Sequence, residues 1–146
     1  MLHGKYMRIG ELHQATGVSI ETIRYYEKEG LLIETARSVN GYRIYGKAHL
    51  ERLSFIRHCR ALEMPLAEIR QLLDFINHPE VDCREVNRLI DVQLARVQAR
   101  LASMRALEKQ LSQLRVHCSI GTTAAECGVL HELVTAAQGE ASANRK

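Results

Sequence analysis

The chain has 146 residues, 46% of them hydrophobic and 25% charged, with a formal net charge of +3. That composition can bury the core of one domain, or of a small domain carrying an extended element, and it excludes a disordered chain. No apolar run approaches the ~20 residues that cross a bilayer, and the opening MLHGKYMRIG lacks an apolar export segment, so a cytoplasmic location with no membrane partner is expected.

The first predicted elements lie in RIGELHQATGVSIETIRYYEKEGLL, which reads as two short helices joined by a tight turn. Ile9, Leu12 and Ala15 share one face of the first helix, and Gly17 ends it where a positive φ costs little. Ser19 suits the N-cap of the second helix, Glu21 suits its first turn, and Val18 with Ile23 suits a hydrophobic staple. That helix is expected to run to about Lys28 and to stop at Gly30. Such a pair is either a helix-turn-helix, whose second helix enters the major groove of DNA, or an ordinary helical hairpin.

Next comes ARSVNGYRIYG, where Asn40-Gly41 is the dipeptide of a type I′ turn and Tyr42, Ile44 and Tyr45 favour strand. A hairpin carrying Arg37 and Arg43 at this point reads as a wing on the phosphate backbone, against the plainer reading of a surface hairpin. Charge favours the wing: residues 1–60 hold 10 Lys/Arg against 6 Asp/Glu, whereas residues 61–146 hold 10 against 11.

KAHLERLSFIRHCRALEMPLAEIRQLLDFI predicts two more helices. Leu50, Leu53, Phe55, Ile56 and Leu62 supply the apolar face of the first, in which Cys59 reads as a small buried hydrophobe. Pro65 suits the first position of the second, whose apolar residues are Leu66, Ile69, Leu72 and Leu73. After a break at Pro79, no Gly or Pro occurs from Arg84 to Val116. Ile90, Leu94, Val97, Leu101, Met104, Leu107, Leu111 and Leu114 repeat there at steps of three and four, one apolar stripe on a long helix. A second copy of the chain would cover that stripe, so a homodimer is expected.

Four cysteines in a cytoplasmic chain read as thiols or metal ligands rather than disulfides. Cys118 and Cys127 flank an eight-residue loop, and two thiolates leave most metals short of ligands. Cys83 begins the long helix and Cys118 follows it, about 50 Å away at ~1.5 Å per residue, too far to share an ion within one chain. If two copies pair antiparallel, Cys83 of one subunit meets Cys118 and Cys127 of the other. Three thiolates suit a soft divalent ion. The rival readings are a thiol redox sensor and a metal-buffering protein. His117 and His131 are possible extra ligands. No paired carboxylates, nucleophile–base set or phosphate-cradling glycine loop suggests an enzyme.

IGELHQATGVSIETIRYYEKEGLL, ARSVNGYRIYGKAHLERLSFIRHCRALEMPLAEIRQLL and the Cys83/Cys118/Cys127 spacing together resemble the MerR family of transcriptional regulators, over about residues 7–134. Within it, RHCRALEMPLAEIRQLL and ECGVLHEL are most similar to the cadmium/lead-responsive branch. The resemblance implies a mainly α fold. A winged helix-turn-helix domain with connecting helices would occupy 7–76, a dimerisation coiled-coil helix 82–118, and a metal-binding loop with a short terminal helix 118–134. The tail 135–146 is expected to be disordered, and residues 1–6 to precede the usual family start at Met7.

The resemblance also implies Cys83, Cys118 and Cys127 as ligands of Pb2+ or Cd2+, with Hg2+ and Zn2+ as alternatives. Copper(I) sensors of the family carry Ser where Cys83 stands, the zinc branch has adjacent cysteines where this chain has His117-Cys118, and the iron–sulfur branch needs four clustered cysteines. Promoter DNA and RNA polymerase are the implied partners, and the dimer would activate by bending and untwisting the promoter. Thr22, Arg24 and Tyr25 on the recognition helix and Arg37, Tyr42 and Arg43 in the wing are the expected DNA contacts.

Overall fold

The computed structural model describes residues 6–118 and 123–143. In chain order these form α1 (Ile9–Thr16), α2 (Ile20–Lys28), β1 (Ala36–Arg37), β2 (Arg43–Ile44), α3 (Lys47–Ala61), α4 (Leu66–Asn77), α5 (Arg84–Arg115), one 3-10 turn (Ala124–Glu126) and α6 (Gly128–Ala143). The chain divides into two compact units, one ending at Leu89 and one beginning at Ile90.

In the first unit, α1 and α2 turn about Gly17, which takes φ 75. The Ser19 hydroxyl caps α2 by accepting from the Thr22 amide at 3.1 Å, and Val18 and Ile23 are both buried as a staple requires. The inner face of α1 carries Ile9 and Leu12 as the apolar pattern indicates but departs from it in the last turn. Ala15 is exposed and Thr16 is buried. Thr16 tolerates burial because its hydroxyl donates to the Leu12 carbonyl at 2.8 Å and accepts from the Val18 amide at 3.2 Å.

β1 and β2 pair antiparallel, with Ala36 opposite Ile44 and Arg37 opposite Arg43. The connection is not the expected type I′ turn, which needs positive φ at both central residues. Only Gly41 is left-handed here, at φ 82. The Gly41 amide donates to the Ser38 carbonyl at 2.9 Å and the Ser38 amide to the Tyr42 carbonyl at 2.7 Å, which makes a three-residue loop closed by a left-handed glycine.

The core of this unit gathers Leu12, Ile23, Leu31, Tyr45, Leu53, Ile56, Met64 and Ile69, all essentially without exposure. Each such side chain contributes about 1.5–3 kcal/mol relative to exposure. Leu50, Phe55, Leu66, Val86 and Leu89 pack around it. Leu62 was expected on the apolar face of α3 but is 52% exposed, because α3 ends at Ala61 and the chain reverses at Glu63, φ 62. That reversal turns Met64 inward instead. Pro65 caps α4 rather than opening it, and its carbonyl accepts from the Glu68 and Ile69 amides.

Tyr45 carries a testable electrostatic signature. It is fully buried and its hydroxyl donates to Glu27 Oε1, so burial first, and the carboxylate second, push its pKa up to about 12. The folded state therefore retains a proton that the unfolded chain gives up near pH 10. Stability from this source is intact below pH 10 and is lost as pH rises toward 12, by up to about 3 kcal/mol. Urea unfolding followed from pH 8 to 11.5 should show this decline, and Tyr45→Phe should flatten it.

In the second unit, α5 leaves its stripe uncovered. Ile90, Leu94, Val97, Leu101, Met104, Leu107 and Leu111 are each between 41% and 62% exposed, and among the described residues of this unit only Gln93 is buried. α6 corrects the expectation of a disordered tail over 135–146, since the chain is helical through Ala143. Ala136, Ala137, Ala141 and Ala143 are the strongest helix formers, and the ~1 kcal/mol cost of Gly139 inside the helix does not break it. Residues 119–122 of the expected metal loop, residues 1–5 of the expected extension and residues 144–146 of the tail lie outside the described residues.

Candidate functional site

Two sets of residues carry the chemistry. The first surrounds α2. Arg24 and Tyr25 face outward, while Thr22 is half-buried and its hydroxyl accepts from Ser19 Oγ at 2.8 Å. Arg24, with the start of α1, the segment after α2 and the hairpin, borders a groove of about 1310 Å3 lined by Arg8, Arg24, Lys28, Arg37 and Arg43 against Glu11, Glu27 and Glu34, whereas Thr22 and Tyr25 lie outside its lining. Arg37 and Arg43 face each other across the hairpin, a like-charge pairing that would destabilise it unaided. Each guanidinium has a separate partner: Arg37 Nη1 donates to the Gly41 carbonyl at 3.0 Å, and Arg43 Nη1 donates to Glu27 Oε2 at 2.5 Å.

Glu27 therefore ties α2 to β2 and to the residue just beyond it. Its carboxylate receives Arg43 from β2 and the Tyr45 hydroxyl just beyond β2, which fixes the hairpin against α2. Arg43 is thus engaged within the protein, whereas Arg24 and Tyr42 are open. Sequence reasoning missed two cations of this groove. Lys28 lies in the last turn of α2, and the Arg8 guanidinium carbon stands 4.5 Å from the centre of the Tyr42 ring, a cation–π contact. The paired basic and aromatic residues were visible in sequence, but the long-range pairing was not.

The second set is the cysteines. Cys59 is buried and its thiol is pushed up by that burial, which makes it inert. Cys83 is exposed, and its carbonyl accepts from the Asn87 amide at 2.9 Å, so it stands at the N-cap of α5. Asp82 and Arg84 bracket it. The Arg84 amide donates to Asp82 Oδ1 at 2.9 Å and its Nε to Oδ2 at 3.0 Å, and these bonds hold the Asp82 carboxyl below the usual carboxylate range.

At the far end of α5, Cys118 is exposed and Cys127 half-buried. The chain closes on itself here. A Cβ placed on Gly128 would lie 2.4 Å from the His117 carbonyl oxygen and 3.1 Å from the His117 Cβ, so the two backbones touch and Cys118 and Cys127 stand one residue inside the closure. His131 Nε2 lies 3.1 Å from the Ala125 carbonyl, an acceptor only, so that nitrogen carries the proton and donates. Nε2 is thereby spent on the loop. No group of three His, Cys, Asp or Glu within one chain is placed to hold a metal among the described residues. The loop pair supplies two soft donors, and two thiolates leave a divalent ion short of ligands.

Residues 7–76 match the family described as MerR HTH family regulatory protein, and residues 50–114 match MerR, DNA binding. The chain is 40% identical over 109 residues to the HTH-type transcriptional regulator ZntR homolog of Haemophilus influenzae, covering 75% of this chain and 81% of that protein. The chain belongs to the MerR family.

Solved structures agree with this membership. The transcription regulator PbrR691 from Ralstonia metallidurans CH34, in complex with lead(II), is 49% identical, with a TM-score of 0.76, covering 87% of this chain and 98% of that one. The dual-function regulator MerR from Bacillus megaterium MB1, in complex with mercury(II), is 30% identical, with a TM-score of 0.67, covering 88% and 99%. MerR-family regulators bind promoter DNA, and the α2 groove lies wholly within the residues matched to the family's helix-turn-helix region. These relatives are transcription regulators rather than enzymes. No helix among the described residues is long and apolar enough to cross a membrane.

Proposed function

We propose that this MerR-family chain is a cytoplasmic, metal-responsive activator that senses a soft divalent ion, Pb2+ or Cd2+, through a site shared between the subunits of a homodimer. The site comprises Cys118 and Cys127 of one chain and Cys83 of the partner subunit. The observation that carries this reading is the 32-residue α5, whose apolar stripe is open and whose two ends carry the exposed thiols. Antiparallel pairing of two copies would cover the stripe and bring the ends together twice. Bound there, the ion supplies a thiolate cross-link between subunits. Thr22, Arg24, Tyr25, Arg37, Tyr42 and Arg43 contact promoter DNA, Arg43 from a position fixed by its ion pair with Glu27, and a shift in the dimer is read by RNA polymerase as a change in DNA bend and twist.

Support for Pb2+ or Cd2+ comes from the donors. Three thiolates satisfy a soft ion, whereas Zn2+ takes a fourth ligand, for which His131 Nδ1 and His117 are the nitrogens at hand, since His131 Nε2 is engaged with the loop. Hg2+ suits the same thiolates, and the mercury-bound relative keeps it in contention.

Anaerobic titration of the reduced protein with each of the four ions, followed by ultraviolet thiolate-to-metal charge transfer, tests the reading. One ion bound per chain, with Pb2+ or Cd2+ outcompeting Zn2+ for a chelator, is the expected result. No charge-transfer band with any ion would overturn it in favour of thiol redox sensing, to be checked with diamide. Gly128→Ala offers a second check. Its methyl group collides with the His117 backbone, so the loop should open and Pb2+ affinity should fall by about 10–100-fold, as for other changes that misplace ligands, with the thermal stability of the DNA-binding unit unchanged.

A further inference from the structure

The turn that ends α2 is held from outside by two arginines. Arg70, on α4, donates from Nη2 to the Glu29 carbonyl at 2.8 Å, and Arg52, on α3, donates from Nε to the Leu31 carbonyl. Between those carbonyls lies Gly30, at φ 75, where a Cβ would sit 3.7 Å from Arg70 Nη1. The Glu29 carbonyl, at the C-cap of α2, lacks a partner within the helix and bears the negative end of its dipole, and the guanidinium donor makes both contacts charge-assisted. The planar guanidinium makes them directional in a way that an ammonium cannot.

Both arginines stand on helices that are themselves fixed. Ile69, Leu72 and Leu73 bury α4, and Leu53 and Ile56 bury α3. A displacement of α4 would therefore carry Arg70 with it. α4 ends at Asn77, six residues before Cys83, and the first turns of α5 return to the same core through Val86 and Leu89. A continuous path of packed and hydrogen-bonded groups thus leads from Cys83 to the end of α2.

We propose that Arg70, seconded by Arg52, is a positioning residue that carries the metal signal from the Cys83 end of α5 to the recognition helix. This rests on the metal-responsive reading above. A clamp that merely stabilised the turn would protect its amides equally with and without metal, whereas a transmitting clamp makes their protection respond to metal.

Hydrogen–deuterium exchange of the full-length protein with and without Pb2+ separates these cases. In the wild type, Pb2+ should change exchange both in peptides containing Cys83, Cys118 and Cys127 and at the amides of Gly30, Leu31 and Leu32. Arg70→Met should keep the first change and reduce the second at least about fivefold, with Arg70→Lys between them. If Arg70→Met fails to fold, Arg70→Lys is judged alone, and a twofold or greater loss of the Gly30–Leu32 response is the supporting result. An unaltered response in the folded variant, or a wild-type response confined to the cysteine peptides, would overturn the proposal. Absence of any change at the cysteine peptides would instead overturn the metal-sensing reading beneath it.

Discussion

Cys83→Ser is expected to abolish activation by Pb2+ and to weaken Pb2+ binding by more than ~100-fold, while operator affinity stays within about threefold of wild type. The size follows from ligand count. Disturbing the outer shell of a metal site costs about 10–100-fold, and removing one of three direct thiolates removes more, because a serine hydroxyl is a hard, protonated donor at neutral pH. Cys83 is exposed and its side chain takes part in no packing that the DNA-binding unit needs, so the fold should tolerate the exchange. Chelator competition measures the affinity, and fluorescence anisotropy on an operator selected by the wild-type protein measures DNA binding. Wild-type Pb2+ affinity in the variant would remove Cys83 from the site.

Leu101→Glu is expected to convert the dimer to a monomer and to reduce binding to a palindromic operator by about 1,000-fold. Leu101 lies close to the midpoint of α5, where antiparallel copies would cross, so one substitution would place two carboxylates near the two-fold axis. Burying unpaired charges costs several kcal/mol, and every 1.4 kcal/mol is tenfold in dissociation. Sedimentation at micromolar concentration reads the result directly. Leu101→Met, similar in volume and apolar, should remain a dimer. If Leu101→Glu sedimented as a dimer, the stripe would not be the interface.

Local punctuation and long periodicity were the legible parts of the fold. Gly17, Ser19 and Gly30 mark α1 and α2 through backbone requirements that act within a few residues, and the structure places all three as the sequence indicates. The α5 stripe is legible because a single period repeats through the helix. What failed was finer or less local. Ala15 and Thr16 exchange places because a threonine can hydrogen-bond its own helix, which apolar patterning ignores. Asn40-Gly41 fits more than one hairpin loop, and only pairing across the strands selects the length.

The candidate site divides in the same way. Cys83, Cys118 and Cys127 stand out in sequence because thiols at the ends of one helix are conspicuous. Gly128 and His131 do not, since their part is to touch His117 and Ala125 across the loop. Arg43 is conspicuous in sequence as a basic wing residue, but its ion pair with Glu27, sixteen residues earlier, is not.

The shared metal site is tested most directly by mixing subunits. Cys83→Ser and Cys118→Ser proteins each lack a ligand in both sites of their homodimers. In a heterodimer, the Cys118 and Cys127 of the first variant meet Cys83 of the second, which restores one complete site. Unfolded together and refolded anaerobically, the mixture should regain Pb2+ charge-transfer absorbance that neither variant shows alone, at about one ion per heterodimer. A mixture no better than its separate components would contradict a site built across the dimer.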